Sequence, residues 1–272
     1  MRVIAYFLLL ICAAGVVKYS LEAAQLSDQA AHRLNLSSST ELAWKSALEK
    51  LSFKLYQGAQ DEKMSLSAYY AEAERKQKRA EHTAVAFFII AACFIVTRAI
   101  VGRRRDSKFA DAMAVDCIVV AFIAFVVGIL APIMALSAFT ELPVLGTVIL
   151  KYESKSVLSA LATLFSGGNW FIGVLVGLFS VIVPALKTVI SLLSLQSRRP
   201  QWSQRASQTV KAIGKWSMAD VFVIAIFIAY FALGSDKFSD ATVGLGLYFF
   251  SAYCLISQFT THYLLKSQLN ES

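Results

Sequence analysis

Apolar runs recur along the chain, each bounded by polar residues, and their lengths set the first expectation. The runs fall at Val3–Val17, about Thr83–Val101, Ala112–Phe139, Trp170–Leu195, Met218–Leu233 and Val243–Leu265. Backbone N–H and C=O groups find no partner in lipid, so each run is predicted to be helical if it crosses a bilayer. The first run is about 15 residues, roughly 22 Å as a helix, short against a hydrocarbon core of about 30 Å. Tyr19 and Leu21 extend it, and Lys18 can snorkel. It reads as an uncleaved anchor. The competing reading is a cleaved signal peptide, because Ala13, Ala14 and Gly15 are small.

Two polar segments have a pattern of their own. Lys18–Glu81 is rich in Ala, Leu, Glu, Lys and Gln and has no Pro; Ala43, Ala47, Leu51 and Leu55 recur every four residues. That spacing predicts one or two amphipathic helices capping the outer face, either a solvated hairpin between two anchors or a docking surface for a partner. Val144–Tyr152 is β-branched and aromatic, which predicts a short hairpin or small sheet outside the membrane. Ser156–Phe165, ahead of Gly167-Gly168, reads as a short helix.

Composition narrows the class. Of 272 residues, 57% are hydrophobic and only 16% charged. Soluble domains carry about 25% charged residues, so a polytopic membrane protein is what remains. The net charge is +8. Its location explains it without nucleic acid. Arg98, Arg103, Arg104, Arg105 and Lys108 follow the second run, and Arg198, Arg199, Arg205, Lys211 and Lys215 follow the fourth. The Thr140–Asn169 and Asp236–Asp240 loops are close to neutral. By the positive-inside rule the basic loops are cytoplasmic, and with six spans both termini are too. Neither basic stretch is interleaved with aromatics, so nucleic acid is not an expected partner.

Catalytic and metal signatures are not evident. Cys12, Cys93, Cys117 and Cys254 sit singly in predicted spans, without a CxxC. No phosphate-binding loop or nucleophile elbow is visible. The expectation is a protein that is not an enzyme, with no metal and no cofactor.

Ionisable groups inside spans are costly and mark function by default. Asp111 and Asp116 open the third run, Lys187 lies in the fourth, and Asp220 lies early in the fifth. Depth arithmetic puts all four in the cytoplasmic half. Ser180, two turns before Lys187, fits the layer, as do Ser217, one turn before Asp220, and Ser257 or Thr260 late in the sixth run. Lys108 is one turn from Asp111. The bland alternative is that each charge snorkels separately. Pro132 and Pro184 are predicted to kink spans three and four, and Gly173 with Gly177 forms a GxxxG that permits close helix approach.

Three stretches add a resemblance. They are Ser166-Gly167-Gly168-Asn169-Trp170 leading to Ser180–Lys187, Gly214-Lys215-Trp216-Ser217-Met218-Ala219-Asp220-Val221-Phe222-Val223, and Gly246–Tyr253. With them, Lys108–Leu265 resembles the membrane domain of the paraquat-inducible protein A family. The resemblance implies an integral protein of the bacterial inner membrane, working on membrane lipids with a periplasmic mammalian-cell-entry (MCE) domain partner. It places Lys108, Asp111, Ser180, Lys187, Ser217, Asp220 and Ser257 on family-like positions, a polar cluster for a lipid headgroup or a proton. Asp116 falls outside that pattern. The zinc-ribbon segments common in the family are lacking, and one membrane domain stands where many members have two.

The fold expected is therefore an all-α polytopic membrane protein with about six transmembrane helices. Residues 1–101 form a two-span region with extracytoplasmic helices over 18–81, and residues 102–272 form a four-span domain bearing a small extracytoplasmic β element. The function expected is lipid trafficking between bacterial membranes. The alternatives are a non-transporting scaffold for a periplasmic complex and a proton-coupled small-molecule transporter.

Overall fold

The computed structural model describes residues 2–36, 58–102, 107–142, 146–196 and 239–269. In chain order these form α1 (Arg2–Leu36), α2 (Gly58–Gly102), α3 (Ser107–Leu130), β1 (Met134–Leu142), β2 (Gly146–Lys155), α4 (Val157–Ser166), α5 (Trp170–Gly177), a π turn (Leu178–Ile182), α6 (Val183–Gln196), β3 (Ser239–Val243) and α7 (Leu245–Leu269). Among these residues four stretches are long and apolar enough to cross a membrane: Arg2–Ala30, Ala68–Val101, Ala112–Leu130 and Trp170–Leu193. The chain is a multi-pass membrane protein of helices with one small sheet. The expected fifth span, Met218–Leu233, lies outside the described residues.

Helices α1 and α2 form an antiparallel hairpin. Tyr6 stacks edge-on with Phe94, Gly15 faces Thr83, and Lys76 meets Glu22 at 2.5 Å. The seam is written in small residues. Leu9, Ala13, Val16, Ser20, Ala23 and Ala30 are buried along α1, with Ala73, Ala80, Ala84, Phe87 and Ala91 along α2. The alternating three- and four-residue steps are those of a left-handed coiled coil, and the alanines let the backbones approach closely. At 1.5 Å per residue, α1 is about 52 Å long and α2 about 67 Å, well beyond a 30 Å core. The polar segments predicted to cap the outer face are, in their described parts, straight continuations of the two spans. No proline interrupts either helix where the lipid-like stretch gives way to the polar one, so the hydrogen-bond ladder runs on into water. The Ala43–Leu55 repeat lies outside the described residues.

Span three is shorter than its apolar run. Helix α3 stops at Leu130, and Met134 already begins β1. Pro132 ends the helix rather than kinking it. It has no N–H to continue the ladder, whose last bond runs from Ala131 N to Val127 O at 2.8 Å. Residues 134–139 are therefore strand, where the apolar pattern alone predicts helix. The hairpin expected near Val144–Tyr152 is present and larger. Strands β1 and β2 pair antiparallel with a bulge at Ala138/Phe139. Strand β3, read from the sequence as a polar loop, pairs with the other edge of β1, giving the order β2-β1-β3. The sheet rests against α1 beyond its apolar stretch.

Helix α4 forms as expected, capped by Ser156 and Ser159 in a reciprocal capping box. The GxxxG of α5 receives α4 rather than a transmembrane neighbour. A Cβ on Gly173 would sit 3.0 Å from the Phe165 ring. The core joins α2, α3 and α7 through aromatics. Phe249 lies 5.0 Å from Phe87, and Tyr253 lies 4.7 Å from Phe125, centroid to centroid.

The α3–α7 crossing depends on Gly128. A Cβ there would stand 2.8 Å from Phe250 N and 2.9 Å from its Cα. Backbone cannot yield as a side chain can. Gly128→Val is expected to push the helices apart at a cost of about 1–3 kcal/mol. A lowered thermal midpoint of the purified protein would show it; an unchanged midpoint would mean that the crossing is plastic.

Candidate functional site

Along α5, the π turn and α6, the buried positions are unusual for a membrane helix. Ser180, Pro184, Lys187, Thr188 and Ser191 are buried, while Ile182, Leu186, Val189 and Leu193 are exposed. The steps of four, three, one and three residues put the polar groups on one helical face. This span turns its polar side inward and its apolar side to lipid. Lys187 is only 3% exposed.

The local backbone explains part of the arrangement. Pro184 lacks an N–H, and the helix accommodates it by widening into the π turn over Leu178–Ile182. This is where the sequence places a kink. The Pro184 carbonyl accepts from Thr188 Oγ1 at 2.9 Å and from Tyr253 Oη at 3.0 Å, and the two hydroxyls are 3.3 Å apart. Tyr253 thus ties α7 to α6 one turn from Lys187. Ser257 lies one turn further along α7. Thr260, its neighbour at helical spacing, is buried and bonds back to Ile256 O at 2.8 Å.

The predicted cluster resolves unevenly. Ser180 is buried in the π turn, Lys187 is buried on α6, and Ser257 lies on α7 one turn past Tyr253. Lys108 and Asp111 belong to the first turns of α3, but their side chains, like Ser217 and Asp220, lie outside the described residues. Thr188, Ser191 and Tyr253 were not anticipated. The four-three spacing of Ser, Thr and Lys through an otherwise apolar run is the signal that finds the first two. Nothing local marks Tyr253, because its role depends on which helix packs beside it.

Asp116 belongs to a second polar centre. It is 2% exposed. Tyr6 Oη donates to its Oδ1, Arg98 Nε donates to Oδ2 at 2.6 Å, and an Arg2 guanidinium nitrogen is 3.3 Å from Oδ2. These partners come from α1 and α2, so the carboxylate on α3 joins the N-terminal hairpin to the rest of the bundle. About 13 Å of helix separates Asp116 from Phe125, the α3 residue against Tyr253. Among the described residues the printed partners of Asp116 are on α1 and α2 and not on α6 or α7.

Comparison with known proteins agrees with the sequence resemblance. Residues 139–271, a little under half of the chain, match the family described as paraquat-inducible protein A. A Haemophilus influenzae protein named as a probable intermembrane transport protein is 27% identical over 140 residues, 49% of this chain. That stretch spans only 33% of the relative's own length. No solved structure matches. The family match starts inside β1 and takes in Ser180, Lys187, Ser217, Asp220 and Ser257, whereas α1, α2 and the Asp116 centre precede it.

Proposed function

We propose that this chain, whose C-terminal half matches the paraquat-inducible protein A family, is an inner-membrane subunit that passes lipid between bacterial membranes. The observation that carries the reading is the inward-facing stripe of Ser180, Lys187, Thr188 and Ser191 in a membrane span, with Lys187 almost wholly buried. An ionisable group buried in a membrane span is costly to keep and marks function by default. A lipid phosphate crossing the bundle would meet it as a charge-assisted donor. The printed name of the Haemophilus relative, an intermembrane transport protein, supports the same class. The Lys/Arg bias orients the basic loops and both termini to the cytoplasm. The polar end of the α1–α2 hairpin and the sheet then stand in the periplasm, where a partner of the MCE class would receive or deliver the lipid.

Purification of the full chain from native membranes tests this. The expected result is that a periplasmic MCE-domain protein and phospholipid co-purify. Recovery of the partner without lipid would favour a scaffold. Recovery of neither would overturn the reading.

A further inference from the structure

An apolar slot opens where the α4–α5 hairpin meets the bundle. Phe165 of α4 lies over Gly173, and Leu161 lies over Gly177, 3.5 Å from where a Cβ would stand. One turn further along both helices the facing side chains shrink, to Ala160 on α4 and Ser180 in the π turn. The gap left there is a cavity of about 60 Å³, closed by Val157, Val176, Leu247 and Phe250. Three further elements set its level. Ile133, just past the end of α3, Lys155, at the end of β2, and Leu247, in the first turn of α7, all line it. The slot therefore sits at the edge of the apolar stretch, on the side where the sheet stands.

The polar side chains of the described lining are committed elsewhere, with one exception. Lys155 Nζ is held by Glu153 at 2.8 Å and by Thr163 Oγ1 at 3.0 Å. Ser156 Oγ caps α4 by accepting from Ser159 N at 3.2 Å. The Lys155 and Ser156 carbonyls accept from Ile133 N and Ala160 N, each at 2.9 Å. The exception is Ser180. It is 7% exposed, it lines the slot, and its hydroxyl makes no hydrogen bond among the described residues. Its Oγ is not sealed in protein, as the Tyr70 hydroxyl is, so it faces the slot. A water there would find one partner, where a buried water typically makes about three hydrogen bonds. An unmet buried hydroxyl is costly. The slot thus suits a ligand that is apolar along its length and carries one acceptor.

We infer that it holds the ester end of one acyl chain of a membrane phospholipid. The Ser180 hydroxyl donates to the ester carbonyl, and the first methylenes lie against Ala160, Val176 and Phe250. At roughly 10–15 Å³ for each water-sized group, the cavity has room for a short run of chain. The level fits as well, since the ester groups of a bilayer lie where headgroups meet the hydrocarbon core. This inference rests on the lipid reading above and adds which part of the lipid Ser180 recognises, two turns before Lys187.

The test uses the full chain in phosphatidylglycerol vesicles. They are doped with a phosphatidylglycerol bearing a photoactivatable diazirine early in one chain, either ester-linked or as the matching diether. Adducts are mapped by mass spectrometry. The ester probe is expected to label segments 157–160 and 176–180 about fivefold more than the ether probe, the worth of one neutral hydrogen bond. Ser180→Ala, which keeps the shape, should bring the ester probe down to the ether level. Ala160→Phe, which fills the slot, should abolish labelling of both segments by either probe. Equal labelling by both probes in the wild type, or an ester preference that survives Ser180→Ala, overturns the inference. So does the absence of adducts from both segments, whether water or protein then fills the slot. Adducts confined to α6 around Lys187 overturn this inference alone and leave lipid transport standing. Labelling of neither region removes both.

Discussion

Lys187→Met is expected to abolish the envelope function of this protein while the protein still inserts in the membrane at lowered abundance. The reasoning separates structure from activity. Methionine keeps most of the stem's volume and removes a charge that is 3% exposed. Replacing a buried charge by an apolar group of similar size is often neutral or stabilising, provided no opposite charge is stranded. Lys187→Ala removes the stem as well and leaves a cavity, so it should cost abundance in addition, by about 2–4 kcal/mol of stability. The measurement is immunoblotting of membranes beside complementation of a deletion strain's sensitivity to detergent. The expected polar layer also holds Asp220 of the next span, which Lys187→Met would leave as a lone charge. A Lys187→Met, Asp220→Leu double variant should therefore insert normally and remain inactive. Full activity of that double variant would make the pair structural and favour the scaffold reading. Normal complementation by Lys187→Ala would remove Lys187 from the site.

The second large effect is expected at Asp116, and it concerns assembly. Asp116→Leu removes the carboxylate shared by Tyr6, Arg98 and Arg2. Arg98, whose side chain is 17% exposed, then loses the carboxylate 2.6 Å from its Nε. Removing one member of a buried pair costs about 3–5 kcal/mol. For a chain of this size that corresponds to a thermal midpoint lower by about 10 °C. The hairpin should loosen with it, seen as faster proteolysis of α1 and α2 in detergent. Asp116→Leu with Arg98→Leu should recover most of the midpoint, because both charges leave together. Arg2 should matter less, since its side chain is 46% exposed and water can replace its partner. If Asp116→Leu melts with the wild type, the three helices are held by their apolar contacts alone.

Both predictions rest on features that the sequence shows to different extents. Lys187 is conspicuous as a lysine 17 residues into an apolar run, so its importance is legible without a structure. That it shares a face with Ser180, Thr188 and Ser191 follows from helical spacing alone. Asp116 was legible only as a charge in a span. Its partners sit 110 and 18 positions away along the chain, and no local rule pairs them. Depth arithmetic groups it with Lys187 in the cytoplasmic half and does not name those partners.

The same division runs through the fold. Apolar runs, Lys/Arg asymmetry and composition determined by themselves that this is a multi-pass helical protein, because lipid leaves the backbone no other way to satisfy its hydrogen bonds. The Ser156–Phe165 run ahead of Gly167-Gly168 and the β-branched run after Pro143 likewise announced α4 and the sheet, since turn and pleat preferences act over a few residues. Pro132 ends the helix locally, but tertiary structure decided that the residues beyond it form strand. Ile133–Phe139 is apolar enough for either, and the choice fell to strand because β3 supplies an edge for β1 to pair with. Packing alone also decided that the polar parts of α1 and α2 continue the spans as one coiled hairpin, that Asp116 clamps this hairpin to α3, and that a slot opens between α4, the π turn and α7. Each of these joins residues far apart in sequence, and such contacts exist only once the helices have chosen their neighbours.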